Sequence, residues 1–216
     1  MSHEQLYKLK ALHFLLIAVG TAALIIASLY SNSNPDSPLE SVVHAQASAI
    51  IHVQSAIVAN SANGTSIAAS FSSNNTAGNL IIAALSFDSS SGTTWSCSDV
   101  RGNTYSQATF TNDTRHLQAL GICYAPNISA GANTVTVSFG GVNQDSRRMA
   151  IAEYSGVATV TPLDGTATNN SGANSTSVTT NSLTTTQSGD LIFAAVTPDS
   201  GSSTILAGTG FNLRQA

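Results

Sequence analysis

The chain is 216 residues long, 42% hydrophobic but only 8% charged, with a net charge of −4, against a usual charged share of roughly 25%. So little charge excludes disorder through self-repulsion, and the lack of clustered Lys and Arg leaves no footprint for nucleic acid. Ser, Thr and Asn make up about a third of the residues, and beyond Glu40 the chain holds one Glu (Glu153) and no Lys, so strands and turns are favoured over solvated helices.

The first element is an apolar run from Ala11 to Leu29, preceded by Lys8 and Lys10 and followed by the polar SNSNPDSP. About twenty apolar residues match a hydrocarbon core of roughly 30 Å as a helix. Lysines on the leading side only hold the amino terminus in the cytoplasm and send the rest across the membrane. Residues 1–30 therefore read as a signal peptide or signal-anchor helix, and the product as exported, extracellular or at the cell surface. Ala45-Gln46-Ala47 has the small-x-small form of a cleavage site but lies far from the apolar run. Cutting after Ala47 and retention of residues 11–29 in the membrane are both open. Residues 31–48, with Pro35 and Pro38, form a polar stalk.

Residues 49–216 show short apolar runs broken by Gly, Asn, Asp and Ser at intervals of about ten, the pattern of an antiparallel all-β domain. Eleven strands are expected: Ile50–Ala59, Thr65–Phe71, Asn79–Phe87, Thr94–Ser98, Thr104–Phe110, Leu117–Ala125, Asn133–Phe139, Arg148–Tyr154, Ser175–Thr184, Asp190–Thr197 and Thr204–Ala207. They suit one two-sheet antiparallel β-sandwich. Val135, Val137 and Phe139 alternate with Thr134, Thr136 and Ser138, giving one buried and one wet face. Leu80–Leu85 and Leu191–Val196 are apolar on both faces and read as central strands. The two belong to an internal echo, SFSSNNTAGNLIIAAL against SLTTTQSGDLIFAAV. In it Gly78 and Gly189 are expected to supply the turn, and Asn79 and Asp190 to bond their own backbone.

Cys97 and Cys123 are the two cysteines of the chain, both beyond the export segment. In an oxidising compartment they are expected to form a disulfide; two buried thiols are the alternative. Without a CxxC spacing they are no zinc site, and neither a metal nor a cofactor is called for.

The strings AGNLIIAALSF, WSCSDVRGNTYSQA, ICYAPNISAGANTVTVSF, RMAIAEYSGV with TPLDGTA, SGDLIFAAVTPD and AGTGFNLR resemble a class of bacterial secreted β-sandwich modules, immunoglobulin-like or jelly-roll-like. Such modules occur singly or beside fibronectin-like domains in large extracellular proteins. The likeness spans nearly all of Ile50 to Arg214, and its motifs are turns and strands, with no catalytic set to carry over. It implies that Asp99, Gly102 and Asn103 form a hairpin device. It also implies a sandwich short of a final strand, because modules of this class continue past the point where FNLRQA stops.

Glu153 is the acid best placed for chemistry. If Met149, Ile151 and Glu153 share one strand face and Ala150, Ala152 and Tyr154 the other, the carboxylate has apolar neighbours, and glycoside hydrolysis would need a second acid nearby. The competing and favoured reading is a strand-end carboxylate paired with Arg147, Arg148 or a backbone amide. Asp88, Asp99, Asp145 and Asp199 lie in loops and read as Asx turns rather than calcium ligands. His52 and His116 lack a nucleophile in a Gly-x-Ser-x-Gly setting. Trp95, Tyr105, Tyr124 and Tyr154 are candidate ligand-binding residues, since exposed rings on one sheet face would stack on sugars. The leading expectation is a non-enzymatic module for adhesion or structural spacing, with a surface glycan or an extracellular protein as partner. A carbohydrate-binding module is the second reading and a small extracellular hydrolase the third.

Overall fold

A computed structural model describes residues 49–88, 93–113, 117–169, 179–197 and 206–214. The apolar run of residues 11–29, the stalk, His116 and Asp199 lie outside the described residues. Eight strands are present among the described residues: β1 (Ile51–Asn60), β2 (Ser66–Ser70), β3 (Leu80–Asp88), β4 (Ser96–Asp99), β5 (Ser106–Asp113), β6 (Gln118–Ala125), β7 (Thr134–Ser138) and β8 (Asp145–Ser155). They form two antiparallel sheets, a five-stranded one in the order β1-β8-β3-β6-β5 and a three-stranded one in the order β2-β7-β4. The described residues are all-β, as the composition beyond Glu40 favours, and the arrangement is sandwich-like.

Strand alternation decides which residues meet between the sheets. Ile81, Ala83, Leu85 and Phe87 of β3, Met149 and Ile151 of β8, and Cys123 of β6 face Ile67 and Ala69 of β2 and Val135 and Val137 of β7 in one core. Phe87 and Phe139 meet across it with ring centroids 4.7 Å apart. Strand β3 occupies the middle of the large sheet and is apolar on both faces, as its sequence predicts. Its second face, Leu80 and Ile82, joins Ala152, Tyr154 and Val157 in a smaller cluster on the outside of that sheet.

The carboxy-terminal third departs from expectation. Asp190–Thr197 was expected as a second central strand but enters neither sheet, and Ile192 is 58% exposed. The echo is real at the turn: Gly78 and Gly189 both sit at φ +85°, a conformation that glycine reaches without steric cost. Beyond it the two copies diverge. Strand β3 is flanked by β8 and β6, leaving no vacant ladder beside it. The second copy lies instead over the outer face of the large sheet, with Leu191 and Phe193 packed on the outer cluster. The described parts of the other two expected strands, residues 179–184 and 206–207, are likewise not strands, so the described residues hold eight strands against the eleven expected.

Candidate functional site

The inner face of β8 reads Arg147, Met149, Ile151, Glu153: a charge at each end and hydrocarbon between. Glu153 has no solvent exposure. A bulge in β1 between His52 and Gln54 shifts the register so that Gln54 stands opposite Glu153, which turns its side chain inward. Glu153 Oε2 then accepts hydrogen bonds from Gln54 Nε2 and Asn75 Nδ2, each at 2.7 Å. Oε1 accepts from the Thr76 backbone N–H at 2.9 Å and from Asn79 Nδ2 at 2.7 Å. Burial alone would raise the carboxyl pKa; the Thr76 amide with Gln54, Asn75 and Asn79 outweighs it and holds the value below the usual range. The acid is thus a fastener for the segment between β2 and β3. It accepts a backbone amide, as the favoured sequence reading allowed, and neither Arg147 nor a second acid is among its partners.

The same end of the sandwich carries a second knot around Asp99. Its Oδ1 accepts from the N–H groups of Arg101 and Asn103, both at 3.0 Å. Its Oδ2 accepts from Asn103 Nδ2 at 2.7 Å, Asn133 Nδ2 at 2.9 Å and Tyr105 Oη at 3.1 Å. Burial opposes ionisation, but Asn133, Asn103 and Tyr105 prevail and the Asp99 pKa is lowered. Burial and the adjacent Asp99 carboxylate push the Tyr105 phenol strongly upward. Asn103 Oδ1 also accepts the Ser129 N–H at 2.8 Å. Backbone bonds from Phe71 to Asn133, Asn75 to Gly131 and Gly78 to Ile128 join the two knots. One polar belt therefore closes this end of the molecule. Asn75 Oδ1 and Asn133 Oδ1 lie in it without a protein donor.

At the opposite end Arg147 is buried, and its guanidinium donates to the backbone carbonyls of Ser66 and Ala62. Between the ends, Cys97 on β4 and Cys123 on β6 form a disulfide with a Cα–Cα distance of 6.6 Å, joining the two sheets. Beside it Trp95 lies over Gly121, where an added Cβ would come within 2.6 Å of Trp95 Cζ2. The indole packs against Phe110 at 6.0 Å. Residue Trp95, with Thr94, Ser96, Ser138 and Gly140, lines a shallow depression of about 190 Å³.

The four aromatic candidates do not share a face. Trp95 is buried in the inter-sheet core, and Tyr105 packs against that core with its hydroxyl held by Asp99. Tyr154 and Tyr124 belong to the cluster outside the large sheet. His52 meets Tyr154 edge-on at 5.4 Å, and burial together with the Arg214 charge lowers its pKa. Asp88 and Asp145 pair across β3 and β8, and Asp145 Oδ1 accepts the Ser146 N–H at 2.7 Å. Asn79 bonds Glu153 with its side chain, rather than its own backbone. In the carboxy-terminal third Asp164 takes the Thr186 N–H and hydroxyl, both at 2.7 Å. Among the described residues no three His, Cys, Asp or Glu side chains gather as a metal site. No helix of the described residues is long and apolar enough to cross a membrane.

One further surface follows from the alternation in the small sheet. With Ile67, Val135, Val137 and Cys97 turned inward, Ser66 and Ser70, Thr134, Thr136 and Ser138, and Ser96 and Ser98 point outward. The register aligns them in rows across the strands: Ser66, Ser138 and Ser96, then Ala68, Thr136 and Ser98. The Ser70 and Thr134 hydroxyls are bonded to each other at 2.8 Å. Among the described residues, the outward positions of β2, β7 and β4 carry no ionisable side chain.

No protein family, curated protein or solved structure matches this chain.

Proposed function

We propose that the chain is an exported, non-enzymatic module of the bacterial secreted β-sandwich type, serving adhesion or structural spacing at the cell surface. The observation that carries this reading is the use of its two best-placed acids. All the short contacts of Glu153 and Asp99 are to neutral donors that fasten loops, an arrangement that favours the ionised form and offers no proton to a substrate. The apolar leader with its preceding lysines supports export, and so does the disulfide between the sheets, since such bridges persist in oxidising compartments.

The test is expression of the full chain in a bacterial host, followed by protease shaving of intact cells, thiol labelling and an adhesion assay. The expected product is accessible from outside, carries no labelled thiol and increases attachment of the cells. A cytoplasmic product with two free thiols, or an exported one that leaves attachment unchanged and turns over a polysaccharide, overturns the reading.

A further inference from the structure

We propose that Asp164 and Asp190 form an acid clasp, two carboxyl groups sharing one proton, which holds residues 190–197 on the outer face of the large sheet in mild acid and releases them as the pH rises. The clasp goes beyond the adhesive reading and does not depend on it. Its parts are two runs that lie side by side, one leaving β8 and one leading to the cover. Asn169 Nδ2 donates to the Thr179 carbonyl at 2.8 Å. Gly165 lies so close to Leu183 that an added Cβ would come within 2.9 Å of Leu183 Cδ1. Asp164 accepts the Thr186 N–H and hydroxyl, both at 2.7 Å. Just past the turn at Gly189, Asp190 meets Asp164 carboxyl to carboxyl. Leu191 and Phe193 then pack on the outer cluster around Leu80, Ile82 and Tyr154. Burial alternates from Leu191 to Thr197, yet this run enters neither sheet. Apolar contact along one face and the clasp at its head therefore fasten it.

The first copy of the echo shows what the clasp replaces. Aligned on Gly78 and Gly189, Thr186 falls where Asn75 stands and Asp190 where Asn79 stands. In the first copy both Asn side chains donate to the Glu153 carboxylate. In the second, the Thr186 hydroxyl still donates to an acid, Asp164, but Asp190 brings a carboxyl in place of an amide. An amide always has a donor, whereas a carboxyl has one only while it holds its proton. Asp190 Oδ1 and Oδ2 are shut off from solvent and meet no N–H or O–H donor in hydrogen-bond geometry. Contact between the two acids thus needs a proton on one of them, and without it they repel. A permanent fastening in the first copy is a conditional one in the second.

The surrounding charges set the direction. The Thr186 N–H and hydroxyl hold the Asp164 carboxyl below its usual range, so Asp164 ionises first and the shared proton stays on Asp190. Burial, then the Asp164 charge, raises Asp190. Among the described residues of the carboxy-terminal third the other charged side chain is Arg214, which acts on His52 and Tyr154. Beneath the layer the titratable side chains are His52, Tyr124 and Tyr154. A folded pKa raised above the free value of about 3.9 gives a stabilisation that is complete below that value and is lost as pH rises through the folded one. The lowered pKa of Asp164 works in the opposite sense, its share being lost as pH falls. The clasp is therefore tightest in mild acid, at about pH 4, and opens toward neutrality.

Methyl-labelled exported product, kept in EDTA to remove divalent cations, tests this by NMR at about pH 4 and at pH 7. Nuclear Overhauser contacts between Leu191 and the outer cluster are expected in acid and are expected to weaken reversibly at pH 7. Asp190→Asn restores the donor that Asn79 supplies in the first copy, and should keep those contacts at both pH values. Asp164→Asn places the donor on the other side of the clasp and should do the same, which keeps the test open if Asp190→Asn disturbs the layer. His52 titrates beneath the same layer and is untouched in both variants, so its contribution is separated from that of the clasp. Wild-type contacts that are equal at the two pH values, or absent at both, overturn the proposal. So does a loss at pH 7 that persists unchanged in both amide variants.

Discussion

Replacing Glu153 by Gln removes one charge and changes almost no volume, so its effect measures what the carboxylate does for the fold. In the wild type four donors converge on two oxygens. Hydrogen bonds to a charged group contribute about 1.5 to 3 kcal/mol each, and neutral ones about 0.5 to 1.5. At the end that stays oxygen, the Thr76 and Asn79 bonds each weaken by about 1 kcal/mol. At the end that becomes NH₂, the new amide meets Gln54 and Asn75, both donors. Asn75 can turn over, since its Oδ1 is buried without a donor and would then accept one. Gln54, half-buried on an edge strand, can rotate towards water. The expected cost is therefore about 2 to 4 kcal/mol at pH 7, with the domain still folded.

The pH profile provides the sharper check. The folded-state pKa of Glu153 lies below its unfolded value, the latter about 4.3. The stabilisation is complete above that unfolded value and is lost as pH falls through the folded one, because the unfolded chain takes up the proton first. Urea unfolding of wild type and Glu153→Gln from pH 7 to pH 3 should show a gap that is widest near neutrality and closes in acid. Asp99, whose folded pKa is also lowered, contributes to both profiles and cancels in the difference. Equal midpoints at pH 7, or a gap of constant size down to pH 3, would refute the account of Glu153 as an ionised fastener. Glu153→Leu should go further: it strands the donors of buried Asn75 and Asn79 and of Thr76, at about 1 to 3 kcal/mol each, and the exported product is expected to be lost to proteolysis.

Three other outcomes follow from the same structure. Reducing Cys97–Cys123, which spans 26 positions, should cost about 3.5 kcal/mol by loop entropy, read as the drop in stability when dithiothreitol is added to a urea titration; unchanged stability contradicts it. Gly121→Ala places a methyl against the Trp95 ring, with an overpacking cost of about 1 to 3 kcal/mol. Because Trp95 is the single Trp of the chain, near-UV circular dichroism and fluorescence should report the displacement directly. Tyr105→Phe removes one donor from Asp99 and should cost about 1 kcal/mol while raising the Asp99 pKa; carboxyl titration by NMR checks the direction.

Much of the fold was legible because strand periodicity is local. Thr134 to Phe139 and Leu80 to Leu85 announce their burial in their own alternation, and each lies where that pattern requires. The face partition of β8 was readable in the same way, with Met149, Ile151 and Glu153 inward and Ala152 and Tyr154 outward. The purpose of Glu153 was not readable. Its partners lie 74 to 99 positions away in sequence, and Asn75 and Asn79 resemble every other Asn of a chain rich in turns. One local signal existed: an Asn at Gly78 plus one, at the start of a strand, where a side chain can point into the end of a sandwich.

The echo marks the boundary between what a segment states about itself and what its neighbours decide. Gly78 and Gly189 adopt the same φ, and both copies continue with an apolar run of nearly the same composition. Yet Ile81 is fully buried while Ile192, its counterpart, is mostly exposed. Alternation specifies two apolar faces and a backbone that needs ladders; it does not specify which strands will supply them. Strand β3 obtains both ladders because β6 and β8 return antiparallel on either side of it. Each of its faces is then covered, one by the small sheet and the other in part by Leu191 and Phe193. The second copy thus serves as cover for the first. A segment cannot be a central strand and the layer over one at once, and the order of the five-stranded sheet settles which copy takes which part.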